Sequence, residues 1–156
     1  MEPVDIQRFF SDKPPFSYLD EATLSGVLKA ISVFYCATDD TVTIENDQLL
    51  VVRSGSFSLL DQHQHRYRQL QEGDCAGHES LLGVAGGANQ AVCEEDGLIF
   101  WLDGGVFRNC VNGNPHFAGY FEGLARRTLH QYRAPGDTQR FTQKVGDVIT
   151  NLKVVI

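Results

Sequence analysis

The spacing of apolar positions changes twice along the chain. Near the N-terminus, Asp5–Phe10 carries Ile6, Phe9 and Phe10 at helical spacing, and Pro14-Pro15 ends that helix. Asp20 is a good N-cap, and Leu24, Val27, Leu28 and Ile31 behind it share one face, which predicts a second short helix. From Ser32 the period shortens. "SVFYCA" is rich in β-branched and aromatic residues, "TVTIEN" alternates, "QLLVVRSG" is mostly apolar and "SFSLLD" alternates weakly. "RYRQLQ" sets Tyr67 and Leu70 among polar neighbours, and "QAVCEED" and "GLIFWLD" read as a later pair of strands. Gly55, Gly73-Asp74, the glycines at 83–87 and Asp96-Gly97 punctuate these runs, and Asp96-Gly97 reads as a two-residue hairpin turn. Many short strands between regular turn signals predict an antiparallel sandwich or barrel.

Helical spacing returns after Gly105. Val106, Phe107, Cys110 and Val111 form one short apolar set. Asn114-Pro115 then offers a capping Asn with Pro at the first helical position. The helix this begins, about Asn114 to Arg133, puts Phe117, Phe121, Leu124 and Thr128 on one stripe, widened by Tyr120 and Leu129. Arg126, Arg127 and Arg133 suit its C-terminal dipole, and Pro135-Gly136 stops it. So apolar a helix needs a covering surface, either its own barrel or a second subunit.

Composition narrows the partners. The chain has 156 residues and a net charge of −7, which suits one domain with some trailing sequence and argues against sequence-independent binding to nucleic acid or anionic membrane. No apolar run is long enough to span a bilayer, and "MEPVDIQRFF" lacks the basic and apolar regions of a secretory signal, so the expected location is cytoplasmic. Cys36, Cys75, Cys93 and Cys110 show no metal-ligand spacing and read as small buried hydrophobes. Neither a P-loop, a dinucleotide fingerprint nor a nucleophile elbow is present.

Two further constellations carry little. His63-x-His65 has the shape of a jelly-roll metal pair, but Glu72 is too distant to complete it, and His116 and His130 fall on the predicted helix. A polar hairpin tip is the plainer reading. The segment after Tyr132 is too short and too weakly basic for a helix-turn-helix.

The stretch "GDCAGHESLLGVAGG" holds five glycines and neither Lys nor Arg. Together with Arg53-Ser54-Gly55, Glu72-Gly73-Asp74 and the Phe100-Trp101-Leu102 strand leading into Val106-Phe107-Arg108, it resembles cyclic-nucleotide-binding domains. The resemblance spans roughly Ile6 to Tyr132. It implies a mainly β fold with flanking helices: a double-stranded β-helix, or jelly roll, with N-terminal helices and a long C-terminal helix. It also implies a ligand site at Gly77, His78, Glu79, Ser80, Leu81, Leu82, Ala88 and Asn89. In the family a Gly-Glu start binds the ribose and a following Arg pairs with the cyclic phosphate. Here His78 takes the Glu position, and no Lys or Arg lies between Arg68 and Arg108.

A charge-assisted hydrogen bond contributes about 1.5–3 kcal/mol, so losing the Arg predicts roughly ten- to a few-hundred-fold weaker binding of a cyclic nucleotide. Three readings stay open. The pocket takes a less anionic, nucleoside-like ligand; it takes a nucleotide with Arg53, Arg66 or Arg68 as counter-ion; or it is empty and the module serves assembly.

"KPPFSYLDEATL" and "GHESLLG" further resemble the N-terminal sensor module of bacterial signalling proteins that carry CBS domains and a nucleotidyltransferase-like region. "VGDVITNLKVVI", Val145 to Ile156, resembles the opening of a CBS domain, with a plain linker as the other reading. The expectation is therefore a sensor domain over 1–134, and a linker with a truncated CBS start over 135–156. It is a non-enzymatic regulatory module without cofactor or metal, dimeric through its C-terminal helix. The alternatives are a structural dimerisation module without ligand and a jelly-roll metal-binding enzyme.

Overall fold

The computed structural model describes residues 3–84 and 89–131, with side chains through Leu124. Helix α1 (Pro3–Asp12), a 3₁₀ turn (Phe16–Tyr18) and α2 (Glu21–Lys29) come first. Strands β1 (Ile31–Cys36), β2 (Thr41–Thr43), β3 (Gln48–Val52), β4 (Ser56–Leu60), β5 (Arg66–Leu70) and β6 (Cys75–Ala76) follow. The one-turn helix α3 (His78–Leu81) precedes β7 (Gln90–Glu95) and β8 (Gly97–Asp103), and α4 (Gly104–Gly113) and α5 (Pro115–Gln131) close the described chain.

The strands form two antiparallel sheets in the orders β1-β8-β3-β6 and β2-β7-β4-β5. This is the expected jelly roll. Strands that follow one another in sequence alternate between sheets, except β4 and β5, which pair as a hairpin. The alternation of side chains then sorts the core into two layers. Leu50, Val52, Phe57, Leu59, Leu70, Ala91, Cys93 and Ile99 fill the space between the sheets. Leu49, Val51, Cys75, Phe100 and Leu102 face the helices, where Phe9, Phe10, Phe16, Phe107, Phe117 and Phe121 cover them.

Local signals place several element ends as the sequence predicts. Asp20 accepts from Thr23 N at 2.7 Å and Asn114 Oδ1 from Phe117 N at 2.9 Å, so both caps form. All four cysteines are buried and free. Burial holds the Cys75 thiol up at about 12 and those of Cys93 and Cys110 at about 11. The stripe Phe117, Phe121 and Leu124 is buried in the chain's own core, which is the covering surface for this part of α5.

Other expectations are corrected. Asp96-Gly97 is not a hairpin. Strand β7 pairs with β2 and β4, β8 pairs with β1 and β3, and Asp96 alone carries the chain from one sheet to the other. The glycine serves a close approach: a Cβ on Gly97 would lie 2.1 Å from the Ser54 carbonyl oxygen. The β3–β4 crossover passes the same corner, and a Cβ on Gly55 would meet the Glu95 oxygen at 2.7 Å. Ile31 opens β1 rather than extending the α2 face. β1 is largely exposed because it is the outer strand of its sheet. The α4 helix begins at Gly104, capped by Asp103, and β6 and the 3₁₀ turn carried too little pattern to be anticipated.

Candidate functional site

The turn between β6 and β7 is built on Gly77. Its φ of 96° is left-handed, and a Cβ there would lie 3.0 Å from both the Gln48 oxygen and Ile44 Cγ2. Helix α3 then winds for one turn. The turn is closed by Leu82 N donating to His78 O (2.9 Å), Gly83 N to Ser80 O (3.1 Å) and Val84 N to Glu79 O (2.7 Å). Ile44 N donates to Asn89 O at 2.8 Å, so Ile44 joins Gly77 on one side to Asn89 on the other. Two ends of the expected site are thus brought together. Ala88, the remaining candidate, lies outside the described residues.

The other candidates divide by direction. Ser80 is exposed, and its hydroxyl donates to Asn46 Oδ1 at 3.2 Å. Leu81 is buried against the helix layer, where Gly104 leaves room for it, and Leu82 packs on the same core. His78 is fully buried. Its ring stacks obliquely on Phe121 of α5 at 5.5 Å, and its Nε2 lies 3.2 Å from Glu79 Oε1. Glu79 is 3% exposed. The helix layer therefore holds both side chains of the His78-Glu79 pair. The resemblance sets His78 at the ribose-binding position, and nothing local in the sequence signals its contact with Phe121.

The three arginines considered as counter-ions have distinct surroundings. Arg53 Nη1 donates to Glu72 Oε1 at 2.8 Å, and its guanidinium sits 5.1 Å over the Phe9 ring. Arg66 Nε donates to Glu94 Oε1 at 2.6 Å, and Arg66 is the main cause holding the Glu94 carboxyl below its ordinary range. Arg68 is half-buried and has no carboxylate at ion-pair distance among the described residues. It stands opposite Leu59, whose side chain faces the space between the sheets. A fourth arginine, Arg108 of α4, donates to the Leu81 carbonyl at 3.4 Å and ties α3 to α4.

The remaining constellations settle at the periphery. His63 and His65 lie on the β4–β5 turn, where Asp61 accepts from both backbone amides at 2.8 and 2.9 Å. Trp101 packs on the core between the sheets. Among the described residues no helix is long and apolar enough to cross a membrane.

Known structures share this arrangement. The regulatory domain of a Toxoplasma gondii PKA crystallised with cAMP is 21% identical, with a TM-score of 0.58 over 69% of this chain and 43% of that one. The fold is that of a cyclic-nucleotide-binding domain. The regulatory subunit of a cAMP-independent protein kinase A from Trypanosoma cruzi, bound to guanosine, is similar at 20% identity and a TM-score of 0.58, over 81% of this chain and 43% of that one. The sensor domain of the transcriptional regulator DNR from Pseudomonas aeruginosa has a TM-score of 0.65 at 13% identity, over 80% of this chain and 94% of that one. The chain thus spans less than half of the two kinase regulatory chains and nearly all of the sensor domain. No family model matches the sequence, and no curated protein matches it significantly.

Proposed function

We propose that this cyclic-nucleotide-binding fold is the non-enzymatic, ligand-sensing module of a cytoplasmic bacterial signal-transduction protein. Its ligand is nucleoside-like and carries less negative charge than a cyclic nucleotide. The observation that carries the reading is electrostatic. From Gln69 to Phe107 the chain has no Lys or Arg, and Arg53 and Arg66 are already engaged by Glu72 and Glu94. The phosphate contact that the resemblance implies therefore has no Arg beside it in sequence, and the position it gives to a ribose-binding Glu is taken by His78, whose ring packs on Phe121. That a trypanosomal subunit of this fold is bound to guanosine supports a nucleoside as occupant. CBS and nucleotidyltransferase-like regions would follow this segment. The residues resembling a CBS start, 145–156, lie outside the described ones.

The mechanism follows from what α3 touches. A ligand seated on Gly77, Ser80 and Asn89 would shift α3. His78 would pass the shift to Phe121 of α5, and Arg108 and Gly104 would pass it to α4. The homodimer through the C-terminal helix that the sequence leads one to expect falls on side chains beyond Leu124, which lie outside the described ones; the stripe before them is buried in the chain's own core.

Thermal unfolding with a panel of cyclic nucleotides, linear nucleotides and nucleosides tests the reading. A ligand at a hundred times its Kd stabilises by about 2.7 kcal/mol, or roughly 5–10 °C at this chain length. A nucleoside should give that shift and cyclic AMP should not. A saturable cyclic AMP shift at low micromolar concentration would overturn it. One observation favours a second reading, a nucleotide with Arg68 as its counter-ion: Arg68 faces inward with no carboxylate partner among the described residues. In that case nucleotides shift the wild type and not Arg68→Ala.

A further inference from the structure

Among the described residues, β1 is the strand that carries large exposed hydrophobic side chains. Val33, Phe34 and Tyr35 are 41%, 51% and 64% exposed, three consecutive apolar side chains on the outer strand of the β1-β8-β3-β6 sheet. Edge strands are ordinarily protected by Lys, Pro or a bulge. β1 reads Ile-Ser-Val-Phe-Tyr-Cys, with no charge and no Pro, and it pairs with β8 over six residues with no register shift. One row of its backbone groups faces away from the sheet. We propose that β1 is the pairing edge of a homodimer, in which β1 of a second copy adds antiparallel and joins the two four-stranded sheets into one.

Charge selects a second copy as the occupant. The chain's net charge of −7 opposes close approach of two copies at most surfaces, but β1 meets itself with no like charges opposed. Lys29 lies just before the strand and Asp39 and Asp40 just after it, all exposed. Antiparallel pairing brings the Lys29 end of each copy to the Asp39-Asp40 end of the other. A two-fold axis through Phe34 sets Val33 opposite Tyr35 of the second copy, an aromatic–β-branched pair of the kind that stabilises antiparallel ladders, and does so twice. On the helix-facing side Val33 lines a mostly apolar cleft of about 280 Å³ with Pro3, Ile6, Gln7, Leu28 and Ile31, beside which that tyrosine comes to rest.

Sedimentation velocity on the 156-residue chain tests the pairing. The wild type is expected to sediment as a dimer at tens of micromolar. Phe34→Lys should be monomeric and folded by circular dichroism, with self-association at least a hundred-fold weaker. Phe34→Cys gives an independent readout. Residues paired across the axis have Cα atoms about 4.5–5.5 Å apart, within disulfide reach, so mild oxidation should cross-link the dimer. The native thiols are buried and do not compete. A monomeric wild type, a dimer that survives Phe34→Lys, or a Phe34→Cys dimer that stays uncross-linked would each overturn the proposal. Should Phe34→Lys fail to fold, the cysteine variant decides alone. A dimer held by α5 shows itself as the second of these outcomes and leaves the ligand reading untouched.

Discussion

Gly97 and Gly26 show how little the identity of a residue says without its surroundings. A Cβ on Gly97 would fall 2.1 Å from one backbone oxygen and 2.8 Å from Gly55 Cα, atoms that cannot swing aside. Gly97→Ala should therefore cost about 3 kcal/mol, roughly 6–12 °C in Tm. Gly26 lies within α2 with nothing within 4 Å of such an atom. Gly26→Ala should stabilise by about 0.5–1 kcal/mol through helix propensity. Thermal unfolding of the two variants checks both signs. The same pair marks the limit of the sequence. Asp96-Gly97 has the composition of a hairpin turn, and nothing near it indicates that Ser54 and Gly55 fill the space beside it. The Asp20 and Asn114 caps were legible because each bonds an amide three residues away. The burial of His78 was not, because the ring that covers it belongs to Phe121.

At the scale of elements, carboxylates hold the corners of the sandwich. Asp96 accepts from the Thr38 hydroxyl at 2.8 Å and the Thr38 amide at 2.7 Å, and those bonds, with one from Tyr35, lower its pKa. Asp61 is lowered chiefly by the His65 amide, and Asp20 by Thr23. Each folded value lies below the ordinary 3.8, so each contribution is complete above that value and disappears as pH falls through the lowered one. Denaturant unfolding between pH 2 and 6 should show stability falling below about pH 4. Asp96→Asn should flatten that fall by the share of one group. An unchanged slope would mean that the bonds to Thr38 do not distinguish the folded state. Element order was also the most legible part of the fold, because period and turn residues are local. Sheet membership was not: β7 and β8 looked like partners, and only their separate neighbours show otherwise.

For the whole molecule, the proposed route runs from the α3 turn into the helices rather than into the second sheet. A ligand that seats on Gly77, Ser80 and Asn89 should slow amide exchange in α3 and in α5 around Phe121, and leave the outer strand β5 unchanged. Hydrogen–deuterium exchange with the ligand found by thermal shift tests this. Protection confined to α3 would break the route. His78→Ala should retain ligand binding and lose the α5 response, a split that a merely structural role would not produce.

The sheet β1-β8-β3-β6 lies between the helices on one face and the other sheet on the opposite face. Its inner strands β3 and β8 therefore form the middle layer of three, screened from water on both sides. Middle layers open only when the molecule as a whole opens, so their amides keep time with global unfolding. Probes on β3 and β8 would give a built-in clock for total stability, against which any faster, ligand-dependent loosening of the helix layer can be read within a single molecule.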